Sequence, residues 1–314
     1  MIPTMRRLYI IVAVLAAGLL LVSCGGSKPE ITPAAKARSI LMDKATDKIL
    51  VASHRADWRH HPENSIPAIE SVIKMGVDIV EIDVAMTSDG ILVLSHDGTV
   101  DRCTNGSGPI SSYTLDSLKL LRLKGPHGEI IDSVGIPTLE EALAVCKDKI
   151  LVNVDHGWNY FPRVLEVAEK TGCVDQIIFK SGGDRQATAE AMRQCDEAGI
   201  IYMPIVTVAK DGTCPAIESY LDGEKMPVMF EVCFSEDSPA IDKYMKALTD
   251  AGSKIWVNSI WGSLCGNNDD ERAYKSQEDA DHYYGRLISL GFKTFQTDRP
   301  EYLLGYLRNK GLHD

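Results

Sequence analysis

Regular alternation of apolar, strand-like runs with helix-like runs is the feature that most constrains the fold of this chain. It begins at Lys48 and continues almost without interruption to the end of the 314 residues. Eight strands are predicted, at residues 49–53, 79–85, 150–155, 176–180, 200–206, 227–232, 254–258 and 292–296. Eight helices are predicted, at residues 65–75, 138–147, 160–170, 185–198, 215–221, 238–250, 276–290 and 301–309. Such alternation indicates an α/β domain built on a parallel sheet.

The number of units fits a (β/α)8 barrel, but a doubly wound sheet has the same local order, so counting leaves both open. The second unit is irregular, because more than an ordinary connection separates Ala85 from Pro137. This segment contains a turn at residues 88–90, a short strand at 91–94, a glycine-rich loop and a polar stretch. We therefore predict a small insertion after strand 2, at about residues 86–137. On a barrel, such an excursion commonly covers the functional site.

The first 23 residues have the pattern of a secretory signal peptide. Arg6 and Arg7 precede an apolar run that ends before Ser23-Cys24-Gly25. The alternative is a membrane anchor, but the run is short for a span of about 20 residues. The cysteine resembles that of bacterial lipoprotein signals, which predicts lipidation at Cys24 and a lipid-anchored protein of the bacterial cell envelope, facing the periplasm or the surface. Residues 24–47 are predicted to form a tether and a short helix, and residues 48–314 the barrel.

The chain is acidic, with a formal net charge of −11. Without residues 1–23 it loses only the two arginines, so the net charge becomes −13. This charge argues against nucleic acid, and against an anionic membrane surface, as electrostatic partners. An anionic substrate must therefore be attracted by local cations or by a metal ion.

Carboxylates and histidines gather where several predicted strands end. Glu81 and Asp83 share one face of the second strand, and buried neighbouring carboxylates need a cation. Oxygen donors suit Ca²⁺ or Mg²⁺, although a salt bridge to Arg or Lys is the alternative. His54 and His96 follow two separate strands, where imidazoles can act as acid and base, and Arg55 offers a permanent cation for phosphate oxygens. The pattern predicts a metal-assisted site for a phosphorylated substrate.

This region resembles the signature of the glycerophosphodiester phosphodiesterase family. Five motifs follow the family's order: His54-Arg55-Ala56, Pro62-Glu63-Asn64-Ser65, Glu81-Ile82-Asp83, His96-Asp97 and Arg102-Cys103-Thr104-Asn105-Gly106-Ser107-Gly108. The resemblance implies a TIM barrel with a small inserted subdomain, a divalent metal, and hydrolysis of glycerophosphodiesters to glycerol 3-phosphate and an alcohol. It also places Glu63 at the site, although a role in the helix dipole is the alternative.

The chain departs from the family at the end of the third strand of the barrel. The family's Asn-Ile-Glu-Ile-Lys is here Asn153-Val154-Asp155-His156-Gly157. The family's Glu is a metal ligand, so Asp155 is predicted to be the third ligand, one methylene shorter. Gly157 takes the place of a lysine that usually faces the phosphate. Lys180 is predicted to supply that charge, and a surface lysine is the alternative.

Three further segments carry predictions. Trp256 is predicted to wall the substrate pocket, with a core position as the alternative. Thr297-Asp298-Arg299-Pro300 matches the family's closing motif, where the Asp-Arg pair is expected to cap the last helix. The acidic run at residues 267–271 is expected to be a solvated turn.

Together these features favour a metal-dependent phosphodiesterase acting on a small-molecule glycerophosphodiester, in a protein held at the membrane by its lipid anchor. A phospholipase D-like or phosphoinositide-type activity on lipids is an alternative. A non-catalytic, membrane-tethered binding protein is the other, and the changes at Asp155 and Gly157 keep it open.

Overall fold

A computed structural model describes residues 31–314 of the protein. The predicted signal peptide, Cys24 and the first part of the predicted tether lie outside the described residues. Within the described part, no helix is both long enough and apolar enough to cross a membrane.

Eight parallel strands form a closed barrel. Nine strands are present in residues 31–314: β1 Leu50–Ser53, β2 Ile79–Met86, β3 Leu92–Leu94, β4 Leu151–Asp155, β5 Ile177–Gly182, β6 Ile201–Val208, β7 Met229–Phe234, β8 Lys254–Asn258 and β9 Thr294–Thr297. Strand β1 pairs with both β2 and β9, which closes the ring, and β3 pairs antiparallel with β2. The predicted (β/α)8 barrel is confirmed, and the open doubly wound sheet is excluded.

Helices follow the barrel strands in turn. Those described are α1 Pro33–Met42, α2 Ile66–Met75, α3 Leu115–Leu118, α4 Leu139–Cys146, α5 Phe161–Thr171, α6 Arg185–Ala198, α7 Pro215–Leu221, α8 Pro239–Asp250, α9 Asp270–Ala273, α10 Gln277–Ser289 and α11 Pro300–Asn309. Local chemistry sets their ends. In α2, the Ser65 hydroxyl accepts a hydrogen bond from the Ala68 N–H, and Gly76 ends the helix at φ 82°.

Alternation along the strands divides the barrel into an outer and an inner face. Outward residues such as Val80, Ile82 and Val152 pack in the main core that includes the surrounding helices. Inward residues near the strand starts form an apolar floor, which Ala37 and Leu41 of α1 join from below. Further along the same inward face, the side chains are polar. The barrel therefore has a closed apolar end and a polar end at the strand C-termini.

The insertion lies between β2 and α4 and has its own small apolar cluster. Its buried members are Val93, Val100, Ile110, Leu118, Leu123 and Ile136. Because β3 pairs with the far end of β2, the chain after β3 emerges at the polar end of the barrel. The small insertion after strand 2 is confirmed, and it brings His96 to the mouth.

Candidate active site

An acidic cluster lies at the polar end of the barrel, on β2 and β4. Strand register places Asp83 directly beside Asp155, and both face the interior. Glu81 and Asp83 are each only 1% exposed. One ligand atom from each of Asp83, Asp155 and His156 lies within 4.8 Å of the others. Sequence reasoning predicted the three carboxylates as ligands, whereas this compact group contains His156 and not Glu81.

The electrostatics of the cluster favour a cation. Burial, and then repulsion from Asp83, raise the pKa of Glu81 well above its ordinary value. Burial also acts to raise the pKa of Asp155, but the Lys180 charge and the His156 N–H outweigh it and leave that pKa lowered. Buried carboxylates in mutual repulsion favour a bound divalent cation. The residues present therefore fit the metal that the family resemblance implies.

Lys180 is a buried cation inside the barrel. Its Nζ lies 3.1 Å from Asp155 Oδ2 and 3.3 Å from Glu231 Oε2. Burial alone would lower the pKa of Lys180, but Glu231, Asp155 and Glu81 outweigh that effect and raise it. The ammonium is consequently charged at neutral pH. Lys180 is therefore not a surface lysine, which was the alternative. Its contact with a substrate phosphate stays a prediction.

A side chain at Gly157 would crowd its neighbours. A Cβ at this position would lie 2.7 Å from Phe179 Cε1 and 2.7 Å from Val154 Cγ1. The chain here leaves β4 and turns into a short 3₁₀ helix, Gly157–Tyr160. A lysine at this position would require Phe179 and Val154 to move, and Lys180 is the neighbouring cation.

His54 is fixed by a carboxylate. Its Nδ1 hydrogen-bonds Asp298 Oδ1 at 2.8 Å, and the same oxygen accepts a bond from Trp58 Nε1 at 2.7 Å. With Nδ1 paired, Nε2 is the nitrogen available for proton transfer. The Trp261 ring stands edge-to-face against the imidazole at 6.0 Å and is 53% exposed. The expected capping role of Asp298 is wrong, because α11 starts after Arg299 without a side-chain cap.

The centre of the acidic run after β8, Asn268 to Asp270, is buried, so the solvated turn expected there is wrong for these residues, whereas Asn267 and Glu271 at its ends are exposed. Asp270 is fully buried and accepts hydrogen bonds of 2.7–2.9 Å from four donors: Ser259 Oγ, Tyr284 Oη, Thr297 Oγ1 and the Asp298 N–H. Burial raises the pKa of Asp270 to about 6, against the effect of those donors. This carboxylate anchors the end of β9, which carries the partner of His54.

His96 has an equivalent arrangement on the insertion. Its Nδ1 hydrogen-bonds Asp97 Oδ1 at 2.7 Å, and Asp97 also accepts bonds from Arg102. The Arg102 hydrogen bonds hold the pKa of Asp97 well below its usual range. The His96 and His156 rings lie 5.8 Å apart between centroids. His96 therefore adjoins the acidic cluster and also has Nε2 available.

Arg55 and Glu63 connect the cluster to the insertion. The Arg55 N–H donates to Glu81 Oε2 at 2.8 Å, and its guanidinium lies 3.3 Å from Glu63 and 3.8 Å from Asp83. Arg102 donates two bonds to Glu63, of 2.7 and 2.8 Å. Burial would raise the pKa of Glu63, but the two arginines outweigh this effect and lower it. The network shows Glu63 orienting both arginines at the mouth.

Trp256 belongs to the apolar floor. It is fully buried, and its Nε1 donates to Asn258 Oδ1 at 2.8 Å. Asn258 in turn donates to Glu231 Oε1 at 2.8 Å. Trp256 therefore occupies the core position that was the alternative in the sequence analysis. Its contact with substrate stays a prediction.

Sequence reasoning missed two aromatic residues of the site. His156 has no matched partner in the sequence motifs and was not predicted as a site residue. In an extended strand, a residue that follows the inward Asp155 would face outward. Trp261 had no signal beyond its place shortly after the seventh barrel strand. A search for aromatic side chains just past the strand ends would have found both.

Known proteins resemble this chain in sequence and in fold. Residues 54–204 match the glycerophosphoryl diester phosphodiesterase family, and residues 202–307 match DUF4996, a domain of unknown function. A glycerophosphodiester phosphodiesterase of Caldanaerobacter subterraneus subsp. tengcongensis is 43% identical over 109 residues, or 34% of this chain and 45% of that protein. The match thus spans less than half of that relative.

Solved structures share the barrel. A glycerophosphoryl diester phosphodiesterase from Parabacteroides distasonis aligns with a TM-score of 0.71 at 24% identity, over 89% of this chain and 93% of that one. A phosphodiesterase from Oleispira antarctica, solved in complex with the product sn-glycerol-3-phosphate, aligns with a TM-score of 0.61 at 21% identity, over 82% and 96%. With the five motifs and this family match, residues 54–204 belong to the glycerophosphoryl diester phosphodiesterase family.

Proposed function

We propose that this protein is a metal-dependent phosphoric diester hydrolase that cleaves glycerophosphodiesters to glycerol 3-phosphate and an alcohol. The observation that carries the proposal is the pair of carboxylate-bound histidines beside one acidic cluster. His54 precedes Arg55, whose N–H donates a hydrogen bond to Glu81 of the cluster. The ring of His96 lies beside that of His156, which belongs to the cluster. The activity named for the Caldanaerobacter relative, and the product held by the Oleispira enzyme, support this substrate class over the lipid-directed alternatives.

Catalysis in this proposal uses general acid and general base groups. One imidazole Nε2 removes a proton from the attacking oxygen, and the other donates a proton to the leaving alcohol. Asp298 and Asp97 keep each Nδ1 paired, which orients both rings.

The substrate phosphate is bound by positive charge at the polar end of the barrel. Arg55 presents a guanidinium for the non-bridging oxygens, and its buried Nε has no hydrogen-bond partner among the described residues. Lys180 adds a second, buried charge. A divalent ion held by the acidic cluster would supply Lewis-acid polarisation of the phosphate. The carboxylate oxygens by themselves suit Ca²⁺ or Mg²⁺, as predicted from the sequence.

The direct test is hydrolysis of glycerophosphocholine by the purified protein, followed as release of glycerol 3-phosphate. We expect turnover that chelator abolishes and that added divalent metal restores. His54→Ala should lower kcat by about 10²-fold or more, because it removes a proton-transfer group. His127→Ala, at an exposed loop position on the insertion, is the matched control and should keep wild-type turnover. Activity that survives both chelator and His54→Ala would contradict the mechanism.

We also propose that the mature protein is attached to the bacterial envelope through a lipid on Cys24. The proposal is carried by the sequence around that residue, since Cys24 lies outside the described residues. Mass spectrometry of the N-terminal peptide should show diacylglycerol on Cys24 and no residues before it. A Cys24→Ser variant should leave the membrane fraction. Recovery of unmodified Cys24 in a membrane-bound protein would contradict the proposal.

A further inference from the structure

His156 adds a nitrogen atom to a group of possible metal ligands that otherwise offers carboxylate oxygens. It follows Asp155 with φ 59°, in the left-handed region, and donates its N–H to Asp155 Oδ1 at 2.7 Å. In an extended strand the next residue would point to the outer face. The left-handed turn instead keeps the imidazole on the side of the acidic cluster, within 4.8 Å of ligand atoms of Asp83 and Asp155.

Gly157 favours this arrangement. A Cβ there would lie 2.7 Å from Phe179 and Val154, so glycine lets the chain pass from His156 into the 3₁₀ helix without displacing either residue.

The surrounding interior also has unpaired acceptors. Asn153 is fully buried two residues before Asp155 on the same inward face, and its Oδ1 accepts no hydrogen bond from the described residues. Glu231 Oε2, also buried, faces Lys180 at 3.3 Å without hydrogen-bond geometry. A buried acceptor without a hydrogen bond is costly, which favours the binding of a further donor or positive group at this end of the barrel.

We infer that the protein's divalent ion is bound by Asp83, Asp155 and His156, and that it is a first-row transition-metal ion such as Zn²⁺. The inference refines the proposed function, because it concerns the same site. Imidazole is a favourable ligand for borderline ions such as Zn²⁺, whereas Ca²⁺ and Mg²⁺ are bound almost entirely by oxygen. One nitrogen among carboxylates therefore changes which ion the site selects, relative to the all-oxygen set expected from the sequence.

The test is a calorimetric titration of chelator-treated protein with Zn²⁺ and, separately, with Mg²⁺. His156→Asn is the informative variant, since asparagine tolerates the left-handed conformation but has no imidazole. We expect this variant to bind Zn²⁺ at least about 10-fold more weakly, as losses at metal sites typically show, and Mg²⁺ with less than about a 3-fold change. His127→Asn, which removes an exposed histidine of the insertion, should change neither affinity.

Two outcomes would overturn the inference: equal weakening of Zn²⁺ and Mg²⁺ binding, or no weakening of either. Circular dichroism shows whether the variant is folded. If the variant does not fold, the wild-type protein alone tests the inference: one equivalent of bound Mn²⁺ should show the electron spin-echo modulation of a coordinated imidazole nitrogen. Absence of that modulation contradicts the inference. No substrate is used, so a protein that binds Zn²⁺ selectively but hydrolyses nothing would refute the proposed function and leave this inference standing.

Discussion

At the scale of single residues, the most consequential contact is that of Asp298 with His54. The carboxylate fixes the Nδ1–H tautomer of a buried imidazole and is itself held by Trp58 and by the backbone anchored on Asp270. An amide at position 298 would keep the shape but remove the charge and favour the wrong tautomer.

Asp298→Asn should therefore lower kcat for glycerophosphocholine by about 10²-fold or more, with KM little changed. Steady-state kinetics at saturating metal measure both constants. The matched control is Glu190→Gln, which makes the same chemical change at an exposed position on α6 and should keep wild-type kinetics. A rise in KM without loss of kcat would show that Asp298 serves binding alone.

Which residues could be predicted depends on how the backbone places them. Glu81, Asp83 and Asp155 follow the two-residue period of strands, so alternation predicts that they share the barrel interior. His156 escapes that rule because a left-handed residue breaks the period. Asp298 was assigned to a helix cap, since its partner His54 lies at the far end of the sequence and only barrel closure brings the two together.

At the scale of elements, the predicted strands and helices lie within two residues of the observed bounds. Long apolar runs and helix-terminal residues define these elements locally, which is why they were predictable. The connections were not. The loop after β8 was predicted to be solvated because it is acidic. Its Asp270 is nevertheless buried, and it accepts hydrogen bonds from hydroxyls of three separate segments, those of Ser259, Tyr284 and Thr297.

The turn after β4 supplies a prediction at this scale. Gly157→Ala would place a Cβ 2.7 Å from Phe179 and Val154, so we expect a loss of about 1–3 kcal/mol in the free energy of unfolding. Gly305→Ala is the matched control, because a Cβ there meets nothing and the residue lies within α11. Alanine should stabilise that helix by up to about 1 kcal/mol. Urea denaturation of both variants measures the two effects, and equal shifts would contradict the steric argument.

At the scale of the whole molecule, the barrel separates stability from chemistry. The apolar floor with α1 closes the end where the strands start, and the charged groups occupy the end where the strands finish. The family resemblance was needed to choose the closed barrel, since a strand count cannot distinguish it from an open sheet. Pairing between the first and last strands is a property of the complete ring.

At the closed end of the barrel, a contact between His313 and Asp78 holds the C-terminal segment. His313 Nε2 hydrogen-bonds Asp78 Oδ2 at 2.9 Å, and the same carboxylate accepts the Val51 N–H at 2.8 Å. Burial would lower the pKa of His313, but Asp78 outweighs it and raises that pKa above 6.5. Because the pKa of His313 is higher in the folded state than in the unfolded state, the contact stabilises the fold fully at pH values below the unfolded-state pKa. This stabilisation is lost as the pH rises through the folded-state pKa.

His313→Gln should consequently reduce the free energy of unfolding more at pH 6 than at pH 9. The measurement is urea denaturation of the wild type and the variant across that range, with the difference between them plotted against pH. His282→Gln, at an exposed position on α10, is the control and should give a small difference at every pH. Because a purely steric role for the imidazole does not titrate, a difference independent of pH would show that packing, and not the charge on His313, holds the C-terminus to the barrel.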